Sequence, residues 1–510
     1  MKRSFLWALA LAMAVSVLGT GMRVDAKPAK ATPAPSASPS AEPTATPEPP
    51  DKAIPRLLDK LKADPNDTDA MVDLSQQYLS VGRADLAVVL TTKLLQLGKK
   101  TAQVYFLDGL ANEELNRIPQ SIYDYEQASN LDPTNVGVLG ALTQAYLKTN
   151  RYADAERVAK RSVTFNKDDK RAFINYGLVL ATEGKYDDAR AQLQVAVNMD
   201  KTDPLPLLQI AQTYFSQNNY PQTIAYIDQA IAVDPHNLQA FMFKGDVYAK
   251  QHDIVNALAA YEQAVTVATD DDTRAGIVDK EAAFLAQEKK NDQAEATFQR
   301  AITAYPAVMM THVTFGDYWA SINQPQRAVD QWTQGLGPNK DTGAALIRLG
   351  EFNLRNDHAT QAIEYLRRLT EVQPDPQSFA LLGQAYTFTH DYRDARDACI
   401  KSYQAGPTPD ALGCIAGADF ELKNYKESAA IFDTLESHAR GYTDSNPQLL
   451  FVEGKVYEQT NQKSKAVASY KRLLVRIKPG TPDYKKIQAM IAALDKPAPA
   501  KKTDPKTKHG

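Results

Sequence analysis

Phe241 to Ala264 reads FMFKGDVYAKQHDIVNALAAYEQA. Gly245 is followed three residues on by an aromatic, Tyr248. Ala257 is followed four residues on by another, Tyr261, and Ala264 closes the pattern. Apolar residues at spacings of three and four place one stripe on each of two helices. The same order of small and aromatic residues returns about every 34 residues, the length of one helix-turn-helix unit. Stacked units bury a continuous core that no single unit closes by itself, so the pattern predicts a solenoid.

Outward from this stretch, copies begin near Thr68, Ala102, Val136, Lys170, Pro204, Leu238, Ala275, Met309, Gly343, Pro376, Pro409 and Pro447, mostly 33 or 34 residues apart. Two intervals are longer. Asp270-Asp271-Asp272 is expected to enlarge the loop before the seventh copy, and Ser437 to Pro447 the loop before the twelfth. In the first helix of a copy, residues such as Phe379, Leu382, Gly383 and Tyr386 form the apolar stripe. The small residue lets the second helix approach. An aromatic on the second helix, as at Tyr125, Tyr261, Phe298 and Phe432, is expected to fill the space toward the next copy. Pro133, Pro235, Pro306, Pro374 and Pro407 cannot continue a helix and so punctuate the copies. Asp132-Pro133-Thr134-Asn135 offers a side-chain cap for the helix that follows. Ala53 to Asp67 and Asp483 to Leu494 are expected to cover the apolar ends of the array.

Between about Asp67 and Gly480 these residues resemble the tetratricopeptide repeat (TPR) family. Trp at the family's first marker position is replaced by Phe, Leu or Tyr. The resemblance implies an all-α fold, a right-handed superhelical solenoid of about twelve helix-turn-helix repeats. It also implies a concave groove, lined by the first helices, that takes an extended peptide or a partner helix. By family register, the groove-facing residues of copies two to six are Phe106, Leu110, Gln144, Ile174, Leu178, Leu208, Gln212, Phe215, Met242 and Asp246. This set, mostly apolar with amides and one acid, suits a protein or peptide partner with apolar anchors. The competing reading packs the same residues against neighbouring helices. Val72, Phe106 and Gly140 stand where chaperone-binding members of the family carry a carboxylate clamp; none is a Lys, which argues against that mode. Later copies carry Asp317, Arg348, Glu351, Arg355 and Lys455, either a second, charge-guided surface or a solvated one.

The flanks read differently. Lys2 and Arg3 precede an apolar run from Phe5 to Gly19, and Val24-Asp25-Ala26 supplies small residues for cleavage after Ala26. Residues 1–26 are therefore expected to be a secretory signal. Residues 27–50, rich in Pro, Ala, Ser and Thr, are expected to be a disordered linker, residues 51–496 the solenoid with its capping helices, and residues 497–510 a basic disordered tail. No stretch after the signal is long and apolar enough to span a bilayer, so an exported protein, periplasmic or extracellular, is the expectation. A net charge of −3 over 510 residues gives no reason to expect nucleic-acid binding. There are 24 Tyr against 3 Trp, and Tyr suits positions half packed and half wet.

No catalytic motif, metal site or cofactor fingerprint is present in the sequence. His236, His252, His358 and His390 are expected in turns, His312 in a packing position, His438 in the long loop and His509 in the tail. Cys399 takes the aromatic position of the tenth copy's second helix, and Cys414 lies on the next first helix. On touching helices of an exported protein they form either a disulfide or two small buried apolar residues. The expected function is a non-catalytic protein-interaction scaffold of the cell envelope, within a secretion, polysaccharide-export or envelope-assembly apparatus. A self-associating structural protein and an accessory subunit of an envelope enzyme are the alternatives.

Overall fold

The computed structural model describes residues 48–337 and 342–495. The signal, most of the Pro-rich linker and the basic tail with His509 lie outside the described residues. Among those described, the chain is an all-α repeat solenoid of 27 helices without a strand. They fall into two compact units, one running to Ile277 and one from Val278.

In the unit that runs to Ile277, helix Pro50–Ala63 precedes five helix pairs of near-constant period: Thr68–Ser80 with Ala84–Gln96, Ala102–Glu114 with Ile118–Leu131, Val136–Lys148 with Tyr152–Phe165, Lys170–Thr182 with Tyr186–Met199, and Leu205–Ser216 with Tyr220–Val233. Leu238–Lys250 with Ile254–Val267 is the sixth pair of this unit. Helix Asp271–Gln287 carries the division between the units. In the unit from Val278, Asn291–Ala304 is followed by Met309–Ser321 with Pro325–Gln334, Gly343–Arg355 with Ala359–Val372, and Pro376–Phe388 with Tyr392–Ala405. Pro409–Glu421 with Tyr425–His438 and Pro447–Gln459 with Lys463–Leu474 come next, and Pro482–Leu494 ends the array.

The two long intervals differ from expectation. The aspartates do not enlarge a loop: Asp270 accepts hydrogen bonds from Thr273 N (2.8 Å) and Thr273 Oγ1 (2.9 Å), and the helix starts at Asp271 and runs 17 residues. Acidic residues suit a helix N-terminus because of the exposed N–H groups there. The second interval holds a short helix, Arg440–Ser445, and His438 is the last residue of its helix rather than part of a loop.

Every pair turns, and most pairs start, by the same local chemistry; the helices from Leu205, Met309 and Gly343 start without a side-chain cap. Asn135 Oδ1 accepts from Gly137 N and Val138 N, and Asp67, Thr101, Asp169, Asn237, Asp375, Thr408 and Asn446 cap their helices likewise. The turn inside each pair places one residue in the left-handed region, and those residues recur with the repeat: Gly82, Asn116, Asn150, Gly184, Asn218 and His252, then Lys289, Asn323, Asp357, His390, Lys423 and Asn461. The next residue donates back to the first helix, as Arg117 N does to Asn112 O (2.8 Å) and Arg151 N to Tyr146 O (2.9 Å), which satisfies a terminal carbonyl.

Packing inside a pair depends on a spacing of sixteen residues. A Cβ on Gly109, Gly245 or Gly454 would lie inside van der Waals distance of the ring of Tyr125, Tyr261 or Tyr470, and one on Gly316 would meet Trp332. Gly350 faces Leu366 and Gly383 faces Cys399 in the same way. The small residue is therefore the seat of the bulky one on the following helix. Tyr125 and Tyr261 thus seat within their own repeat; Tyr125 also joins the core cluster of Leu139, Leu142 and Tyr146 in the next, and Phe298 and Phe432 pack on Phe315 and Tyr457 of the next repeats, as expected.

Candidate functional site

The bulky residue that seats on glycine also ties down a carboxylate of the first helix. Tyr125 Oη donates to Glu113 (2.6 Å), Tyr261 Oη to Asp246 (2.7 Å) and Tyr470 Oη to Glu458 (3.1 Å), while Trp332 Nε1 donates to Asp317 (3.0 Å). Burial, helped by the adjacent carboxylate, pushes these three phenols far above the ordinary tyrosine range, so they remain donors. Asp246 and Asp317 are thus held by their own repeats before any partner arrives.

Of the ten residues proposed for the groove, Leu208 does not belong to an open surface. It is 4% exposed and packs with Leu207, Ala211 and Ile227. Phe106 is half-buried against Tyr125 (ring centroids 5.9 Å) beside the cluster that also takes Leu110. Phe215 is wedged between Tyr220 (6.0 Å) and Phe243 (5.6 Å). Gln144, Ile174, Leu178 and Met242 are half-buried, and Gln212 is exposed.

One register position stands apart. At a spacing of 34 residues, successive first helices in the unit to Ile277 carry Gln76, Leu110, Gln144, Leu178, Gln212 and Asp246. None is buried, and amide alternates with leucine as far as Asp246. The side chains of Gln76, Gln144 and Gln212 make no hydrogen bond among the described residues. Gln76 escaped the sequence reading, although the alternation is visible once the copies are aligned.

The charged residues of the later repeats pair with one another. Arg348 grips Asp317 with two nitrogens (2.8 and 3.0 Å), Arg355 reaches Glu351 (3.3 Å), and Lys455 reaches Glu458 (2.9 Å). Arg396 donates to fully buried Asp419 (2.7 Å), which also accepts from Asn424 (2.9 Å). A disulfide joins Cys399 to Cys414, with Cα atoms 6.1 Å apart. In the unit to Ile277 the buried carboxylates have neutral partners. Thr91 Oγ1 donates to Asp108 (2.6 Å), and Asn112 and Gln120 donate to Asp124 (3.0 and 3.1 Å). Burial, with Asp108 nearby, pushes Asp124 up to about 7.

The histidines do not gather. His252 and His390 occupy left-handed turn positions, His236 lies in a turn between repeats, and His358 immediately precedes a helix. His312 Nδ1 contacts Gln331 Oε1 (2.9 Å). Among the described residues, no three of His, Cys, Asp and Glu are placed to hold a metal ion, and no helix is long and apolar enough to cross a membrane.

The fold and its repeated first-helix surface define a class, the helical-repeat solenoid proteins. A model of the tetratricopeptide repeat matches residues 141–204 and 208–273, and the chain is a tetratricopeptide-repeat protein. It is similar to cellulose synthase operon protein C of Pseudomonas fluorescens, at 33% identity over 72 residues. That match covers 14% of this chain and 6% of the relative's length. Among solved structures, it is similar to a tetratricopeptide repeat protein from Parabacteroides merdae, at 15% identity and a TM-score of 0.39, covering 45% of this chain and 90% of that one. Yeast Tom70 is similar at 16% identity and a TM-score of 0.36, covering 76% of this chain and 95% of that one. As a tetratricopeptide-repeat protein, the chain is a protein-protein interaction scaffold.

Proposed function

We propose that the first-helix face of the unit to Ile277 holds an extended, uncharged segment of a protein partner, and that the chain does so without catalysis in the cell envelope of its host. The alternation of Gln76, Leu110, Gln144, Leu178 and Gln212 supports this reading. Amide side chains can both donate to and accept from a peptide backbone, whatever its sequence. Leucines between them offer apolar contact at intervals. Neighbouring helices pack about 8–10 Å apart. An extended chain advances about 3.3 Å per residue, so about three residues pass each repeat. Alternate repeats would then read one side chain in about six.

The export part of the reading is supported by Lys2, Arg3 and the apolar run from Phe5 to Gly19. A role in a secretion, polysaccharide-export or envelope-assembly apparatus is compatible with the short match to cellulose synthase operon protein C. Fractionation of native cells tests the location; recovery in the cytosol would overturn it.

Selection from a displayed library of unstructured peptides tests the groove. The expected ligands carry apolar residues about six apart and lose binding to Leu110→Glu and Leu178→Glu variants of unchanged helicity. Ligands indifferent to both variants would remove the groove from the proposal. Phe106→Ser and Phe215→Ser are poor probes, because both rings pack against neighbours and their loss would disturb the fold.

A further inference from the structure

The segment Ala439 to Asn446, with its short helix Arg440–Ser445, interrupts the repeat between Tyr425–His438 and Pro447–Gln459. It does not lie free. Tyr442 hangs over Gly413, its hydroxyl 2.9 Å from where a Cβ would stand, and burial with Asp410 nearby pushes its phenol up. Asp410 and Gly413 are the second and fifth residues of the first helix Pro409–Glu421. The fifth position is the one that Phe106, Ile174 and Met242 leave half-open in the other unit. Here the chain covers that position itself.

The cover is anchored on Arg472, which lies on the last pair. Its Nε donates to Asp444 of the insertion (2.6 Å), and its Nη1 bonds Glu436 and approaches Glu453 (3.5 Å). Glu453 is fully buried, and Thr443 of the insertion is buried beside Asp444. Glu453 Oε1, Thr443 Oγ1, Gln448 Oε1 and Arg472 Nη2 have no hydrogen-bond partner among the described residues. Three carboxylates meet one partly buried guanidinium, and the further cation, Arg440, sits outside against Glu436 (3.5 Å). The other groups around Glu453 add no buried cation. Ser469 is neutral; Tyr457 and Lys465 are both bonded to Asp433 (2.8 and 2.6 Å); and His438 contacts Ser437 and Thr434 on its own helix. The cluster balances best when one carboxyl is neutral.

We propose that Ala439–Asn446 is a strap that closes the first-helix face of the eleventh repeat and lets go when the carboxylate cluster around Arg472 gives up its proton. Burial pushes Glu453 up to about 8; Arg472 opposes this and Glu436 adds to it. The sign follows from proton linkage. The closed state holds a proton that an open, hydrated Glu453 would release, so its help to closure is complete below the ordinary glutamate value and is lost progressively as pH rises from there through about 8. Between the ordinary glutamate value and about 8 the opening constant rises about tenfold per unit, and above that it levels off.

Hydrogen-deuterium exchange of the full chain at pH 6 and pH 9.5 tests the strap without needing a partner, so its outcome is separate from that of the groove reading. After correction for intrinsic rates, amides 440–446 are expected to exchange about tenfold or more faster at the higher pH. Pro447–Gln459 and Lys463–Leu474 should keep their protection. Glu453→Gln, neutral at both values, should hold the strap closed throughout. Tyr442→Phe, which removes only the hydroxyl over Gly413, should loosen the strap at pH 6 with little change in melting temperature. Strap exchange independent of pH, or opening of the strap only together with the last helix pair, would overturn the proposal.

Discussion

The unit to Ile277 and the unit from Val278 are built from the same repeat but fastened differently. In the first, pairs follow one another at a near-constant period, and buried carboxylates rest on neutral donors: Thr91 on Asp108, and Asn112 and Gln120 on Asp124. In the second, the period breaks at the insertion, and buried carboxylates meet guanidinium groups, Arg396 on Asp419 and Arg472 on Glu453, although Asp279 keeps a neutral donor, Thr314. A disulfide fastens two repeats of this unit as well. The regular half repeats one solution. The irregular half adds fasteners that hold only where they stand.

The sharpest test of this contrast removes one fastener from each side. Arg396→Ala leaves Asp419, with no exposure of its own, without its cation. The loss should be about 3–5 kcal/mol of unfolding free energy in urea. Gln120→Ala leaves Asp124 its bond from Asn112 and should cost about 1 kcal/mol. Equal losses would end the distinction.

The disulfide should come next. Reducing the bond between Cys399 and Cys414, 15 residues apart, or replacing both with Ala, should cost about 3 kcal/mol through the loosened unfolded chain. Exchange protection of the unit to Ile277 should stay as it was.

The glycine seats ought to behave alike on both sides. Gly245→Ala against Tyr261 and Gly454→Ala against Tyr470 should each cost about 1–3 kcal/mol by overpacking. A large difference would mean that the two units do not share even this device.

Raised carboxyls should make both units lose stability toward base, through Asp124 in the one and Glu453 in the other. Asp124, pushed up to about 7, holds its proton when folded and gives it up when unfolded near 3.8. Its contribution is fully present at low pH and is lost as pH rises from about 4 through 7. The unit to Ile277 should therefore melt at a higher temperature at pH 5 than at pH 8, and Asp124→Asn should flatten that slope.

Much of this is legible along the chain because a solenoid keeps its contacts local. Ten of the twelve aligned starts, Thr68 and Met309 among them, coincide with observed helix starts. The departures have physical causes. Asp270 caps a helix because the run of aspartates favours an N-terminus over a loop. Leu208 faces the core because the helix Leu205–Ser216 buries leucines on neighbouring positions. The Arg472 cluster joins Glu436 and Glu453 across an insertion of irregular length, so no fixed spacing announces it.

The turn position gives the finest contrast. In the unit to Ile277 it is filled by Gly82, Gly184 and three asparagines before His252, residues that accept a positive φ at little cost. In the other unit Lys289 (φ 58°) and Lys423 (φ 65°) hold the same conformation with a full side chain. A left-handed L-residue pays about 1 kcal/mol, part of which the extra freedom of an unfolded glycine cancels. Lys289→Gly and Lys423→Gly should therefore stabilise the chain by about 0.5 kcal/mol each. Gly82→Ala and Gly184→Ala, where a Cβ would meet nothing within 4 Å, should cost about 1 kcal/mol from the backbone alone. Opposite signs in the two units, measured by chemical denaturation, would show that the irregular half tolerates turn strain where the regular half avoids it.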